Sequence, residues 1–195
     1  KDDVNSKDDD GRTPLLLAAK NGQEAVVKML LDSGKVDVNS KDKLGQTLLS
    51  LAAENGHDTV VKMLLDAGKD DFDSKDYNGQ TPLSLAAENG HGTVVKMLLD
   101  TGKVDVDSKD MLGQAPFWLA AENGHNTVVK MLLDTEKVDV DSKDMLGQTP
   151  FWLAAENGRE AVVICIGKES GPLSLLLACT RIDLMLLRQC GGASR

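Results

Sequence analysis

Residues 76–109 read DYNGQTPLSLAAENGHGTVVKMLLDTGKVDVDSK, and the fold of the whole chain turns on how this stretch is parsed. Asp76-Tyr77-Asn78-Gly79 is a turn signal, with Gly able to supply a positive φ. Thr81-Pro82 then opens a helix: the hydroxyl is placed to cap, and Pro suits the first helical position because its missing N–H costs nothing there. The helix is short, Pro82 to about Glu88, and Leu83, Leu85, Ala86 and Ala87 give it a mostly apolar body on which a neighbouring helix can approach closely. Asn89-Gly90 stops it. A second helix is predicted from Thr93 to Asp100, with Val94, Val95, Met97, Leu98 and Leu99 inward, Lys96 outward and Gly102 as its end. Val104-Asp105-Val106-Asp107 alternates with the period of an extended segment.

Working outward, the stretch is one copy of a unit. Its opening glycine recurs at Gly11, Gly45, Gly79, Gly113 and Gly147, each 34 residues after the last, and its Asn-Gly turn at Asn21, Asn55, Asn89, Asn123 and Asn157. Self-similarity at this period means a solenoid, because a single helix–turn–helix unit cannot bury its apolar face alone. The tetratricopeptide repeat has this length, but it expects two long helices and a Trp-Leu-Gly-Tyr-type pattern that is absent here. Thr81-Pro82-Leu83-Ser84-Leu85-Ala86-Ala87 and Thr149-Pro150-Phe151-Trp152-Leu153-Ala154-Ala155, the pairs Gly56-His57, Gly90-His91 and Gly124-His125, and the finger Gly34-Lys35-Val36-Asp37-Val38-Asn39 instead resemble the ankyrin repeat. The finger is one residue longer than that family's, and the resemblance covers roughly residues 1–164. It implies an all-α solenoid of stacked helix–turn–helix units with extended finger loops. The expected organisation is a partial finger over 1–7 and five repeats over 8–41, 42–75, 76–109, 110–143 and 144–167. A divergent helical cap or degenerate repeat is expected over 168–195.

Charge narrows the partners. The net charge is −9; the last 31 residues carry four cations against two carboxylates, so the preceding 164 hold −11. An acidic array repels phosphate backbones and anionic lipid, which argues against nucleic acid and membrane surfaces. No signal peptide or membrane span is evident. Cys165, Cys179 and Cys190 all lie in the final stretch and form no disulfide framework, so a reducing intracellular compartment, the cytoplasm, is expected. Lys1 to Asp8 copies the finger Lys35 to Asp42, so the chain is expected to be a fragment of a longer array.

No unit contains a catalytic constellation, and no cofactor is expected. His57, His91 and His125 belong to different repeats and cannot converge on a metal, whose ligands sit at ~2 Å; a turn histidine bonding locally is the expectation. Asp105 to Asp110 resembles the start of a calcium loop, but Lys109 and Asp110 stand where an acceptor and Gly are required. Gly167-Lys168 lacks the upstream Gly of a phosphate loop, and the cysteines lack partner histidines and Cys-x-x-Cys spacing.

Comparison of the copies points to a binding face. Resemblance to the ankyrin family implies recognition by finger tips and first helices. There Gln46, Gln80, Gln114 and Gln148, and Glu54, Glu88, Glu122 and Glu156, form nearly uniform polar rows. The tips differ: Asp9-Asp10, Lys43-Leu44, Tyr77-Asn78, Met111-Leu112 and Met145-Leu146. At the signature His position stand Leu16, Ser50, Ser84, Trp118 and Trp152. The two tryptophans are either aromatic anchors on the face or a coupled repacking with Phe117 and Phe151. The candidate partner-binding residues are Tyr77, Asn78, Met111, Leu112, Gln114, Met145, Leu146 and Gln148, with Trp118 and Trp152 behind them if they are not buried. The expected function is a monomeric, non-enzymatic scaffold for a protein partner offering apolar side chains within a basic segment. The alternative is a regulatory or sensing segment of a multidomain signalling ATPase or other enzyme.

Unit two lacks the helix-opening Pro, at Leu48, and unit four lacks the capping hydroxyl, at Ala115. The pattern fails after Val163. The tail admits three readings: a degenerate sixth repeat acting as a cap, a single amphipathic helix from Pro172 to about Gln189, or the product of a shifted gene model.

Overall fold

A computed structural model describes residues 3–68 and 71–169. Ten helices lie among them, in five pairs: α1 Pro14–Lys20 with α2 Glu24–Asp32, α3 Leu48–Glu54 with α4 Asp58–Ala67, α5 Pro82–Glu88 with α6 Gly92–Asp100, α7 Pro116–Asn123 with α8 Asn126–Leu133, and α9 Pro150–Glu156 with α10 Glu160–Glu169. None exceeds 10 residues, under three turns. The readings offered for 170–195 fall outside the described residues.

Each first helix starts as its sequence dictates. Thr13, Thr47, Thr81 and Thr149 accept a bond from the backbone N–H three residues on, and Leu48 suffices at the first position without Pro. Ala115 provides no such bond, and α7 forms regardless. Tertiary packing outweighs a cap worth about 1 kcal/mol.

The first helices stack on one another in chain order, each also packs on its own second helix, and the second helices form a parallel row behind. One apolar cluster runs through all five pairs, from Leu15 and Val27 to Val162 and Ile166. The alanine pairs Ala52-Ala53, Ala86-Ala87 and Ala120-Ala121 are fully buried and let the first helices approach closely.

The turn within each pair explains two glycine properties at once. Gly90 has φ 75, which excludes most side chains, and a Cβ there would lie 2.5 Å from the His125 ring of the next unit. That ring reaches back across the glycine, and His125 Nε2 donates to Glu88 O at 2.8 Å. His57 bonds Lys20 O and His91 bonds Glu54 O in the same way, and Arg159 Nε bonds Glu122 O. The expected local turn bond is thus corrected. These side chains staple one unit to the one before, satisfying a carbonyl at the end of the preceding first helix.

The Val-Asp alternation forms no strand among the described residues. Asp37 Oδ1 accepts the Asn39 N–H and Ser40 Oγ donates to Asp37 O, so the finger curls into an Asx-type turn. Acidic residues compete for their own backbone in this way. The alternation still sorts the residues, with Val106 buried and Asp105 exposed.

Candidate partner-binding face

The tips are built from the backbone outward. Asp76 Oδ1 accepts from the N–H groups of both Asn78 and Gln80, which closes the tip on a single carboxylate oxygen. Asp42, Asp110 and Asp144 repeat the arrangement. Successive tips are then joined by main chain: Lys43 N donates to Asp10 O, Tyr77 N to Leu44 O, Met111 N to Asn78 O and Met145 N to Leu112 O, all at 2.8–2.9 Å. A second ladder supports the first from below. Lys7, Lys41 and Lys75 each donate through Nζ to a backbone carbonyl of the next unit, those of Lys41, Lys75 and Lys109.

This scaffold holds apolar side chains out in water. Tyr77 is 67% exposed, Met145 75% and Leu146 81%, with Met111 and Leu112 also exposed. Leu44 is exposed in the same row and was not among the candidates. The signal for it was its position, one repeat before Asn78 and two before Leu112. Asn78 is exposed, while Gln114 and Gln148 are half-buried at the tip bases.

The tryptophans separate. Trp118 is only 2% exposed, packed with Leu119 and Leu153 in a small cluster between α7 and α9. Its Nε1 makes a long bond of 3.4 Å to Gln148 O, below the fifth tip. Trp118 therefore offers no anchor to a partner; it fills the interface left where Ser50 and Ser84 stand in other units. Trp152 is half-buried and packs against that cluster.

The polar rows are partly committed. Gln46 donates to Glu54 at 2.9 Å and Gln80 to Glu88 at 2.7 Å, while the asparagines donate to carbonyls four residues back in their own helices. Glu122 stands differently. Burial raises its carboxyl above the ordinary range, and the like charges of Glu88 and Asp144 push the same way, with Arg159 opposing. Among the described residues the ion pairs are those of Arg12 with Asp8 and Asp10, so the other carboxylates of the face make no direct ion pair there. Asp8 is held below the usual range by the backbone N–H and guanidinium of Arg12.

No group of three or more potential metal ligands occurs among the described residues, and no described helix is long and apolar enough to cross a membrane. A family model described as ankyrin repeats (3 copies) matches residues 1–76, 35–110, 70–144 and 103–171. No curated protein matches the sequence.

Proposed function

This chain belongs to the ankyrin-repeat family, and from that premise we propose that it is a non-enzymatic scaffold holding a protein partner along its tips and first helices. Ankyrin repeats are generally protein–protein interaction modules. The observation that carries the reading is the row Tyr77, Met111, Leu112, Met145 and Leu146. These apolar side chains are exposed on a backbone already fixed by Asp caps and tip-to-tip bonds. Such anchors supply most of the energy of an interface, and a rigid mount spares the entropy of ordering them. The partner carries apolar side chains within a basic segment. Its cations meet Glu88 and Glu122, a row in which Glu122 already resists ionisation.

The test replaces Met111, Leu112, Met145 and Leu146 together with Ser. Proteins retained from cell extract by the wild-type chain should be lost by the variant, retention should weaken with added salt, and the thermal midpoint should stay within a few degrees. Retention that survives the four changes, or a variant that loses stability instead of binding, overturns the site.

A further inference from the structure

Successive fingers are joined by a side chain that changes along the array. In the first joint Asn5 bonds the next finger twice: its Oδ1 accepts the Asp37 N–H at 2.9 Å, and its Nδ2 donates to Lys35 O at 3.1 Å. An amide suits this place because it offers one acceptor and a donor to a backbone that presents one of each. The same position, 34 residues on each time, is held by Asn39, Asp73, Asp107 and Asp141. From Asp73 onward the donor is gone, since an ionised carboxylate only accepts.

The two aspartates with a described finger ahead of them show the mismatch. Asp73 turns both oxygens to one group, the Asp105 N–H, at 3.1 and 3.0 Å. At Asp107 the Asp139 N–H again faces the carboxylate, but Oδ1 is buried without a hydrogen-bond partner among the described residues. By register with Asn5, the main-chain group opposite that oxygen is Lys137 O, another acceptor. Two acceptors there share no proton, and a buried polar atom left in that state is destabilising. Burial is the largest influence on Asp107 and lifts its carboxyl above the ordinary 3.8. The charges of Asp139 on the facing finger and Asp105 on its own push the same way, while the Asp139 N–H and Lys109 oppose them.

We propose that Asp107 is an acid-closed clasp between the fingers 103–109 and 137–143: its protonated carboxyl donates from Oδ1 to Lys137 O while the other oxygen keeps the Asp139 N–H. Closing takes up one proton from solvent and restores the pair of bonds that Asn5 makes. The native state holds this proton more tightly than the unfolded chain does. The clasp's stabilisation is therefore present at low pH and is lost as pH rises through the native pKa. Asp110, three residues on, closes the Met111-Leu112 tip, so acid stiffens the frame on which that tip is mounted.

The experiment follows the full 195-residue chain, labelled with carbon-13 and nitrogen-15, through a pH titration by NMR. The Asp107 carboxyl carbon should titrate above 3.8, and the Lys137 carbonyl carbon should move with the same midpoint. In Asp107→Asn that carbonyl movement should vanish. The variant should also raise the urea midpoint at about pH 7, and the advantage should shrink to none where the wild-type carboxyl is protonated. There the amide and the neutral acid make the same two bonds. Asn5→Asp imposes the change in reverse: it should lower the urea midpoint at about pH 7 and lower it less at about pH 4. The proposal fails if the Lys137 carbonyl ignores the Asp107 titration, or if the advantage of Asp107→Asn does not depend on pH. Should acid unfold the chain before Asp107 titrates, an Asn5→Asp variant as stable as wild type at about pH 7 overturns it.

Discussion

Ala115 sits at a helix start where the four other units place a threonine that accepts from the N–H three residues on, and its side chain has nothing to give. Thr81 occupies the same place fully buried, so a hydroxyl is sterically admissible, and Thr149 Oγ1 accepts from the backbone N–H of a Trp three residues on at 3.3 Å. Ala115→Thr should therefore stabilise the chain by about 1 kcal/mol in urea unfolding. Glu122 invites a second substitution. Its carboxyl is raised above the ordinary 4.5, mainly by burial. The native state thus holds that proton more tightly than the unfolded one, and the group's contribution to stability falls as pH rises through its native pKa. Glu122→Gln removes this loss. The variant should be more stable than wild type at about pH 7, and the gap should close towards about pH 4, where wild-type Glu122 is itself protonated. A gap unchanged by pH would mean that burial does not govern this carboxylate.

At the scale of the element, coupling between units rests on side chains that cross to the previous helix pair. His125→Leu strands Glu88 O and should cost about 1–3 kcal/mol. His125→Arg should stay near wild type, because Arg159 already makes the equivalent bond through Nε. Urea unfolding of both variants separates the lost bond from lost packing. This coupling was illegible in the sequence for a definite reason: the acceptor is a main-chain carbonyl 37 residues earlier, and carbonyls carry no residue identity. The helices themselves were legible, since Thr-Pro and Asn-Gly punctuate them and their apolar periods are clear. The fingers were legible as to which valines face in, but not as turns. An Asp-Val-Asp alternation satisfies a strand pattern and an Asx turn equally, and only the missing strand partner decides.

For the whole molecule, translation by one unit turns each side chain into a row, and the rows differ in how much of their meaning a sequence can show. The tips were readable as a candidate face because the copies diverge there, and the structure places Tyr77, Met111, Leu112, Met145 and Leu146 in the open. Trp118 was not readable, because a first helix apolar all round gives no sign of which large side chain its neighbour will cover. The acidic charge is likewise a property of the array, with each unit adding more carboxylates than cations. One consequence reaches into how such a chain changes over generations. The bonds joining Tyr77 to Leu44, Met111 to Asn78 and Met145 to Leu112 use main-chain atoms only, and the carboxylates that close the tips sit one position before them. The two residues at each tip are thereby released from any duty to the frame. Duplicating a unit copies the mount intact, and a lineage can rewrite what it recognises two codons at a time without renegotiating its stability.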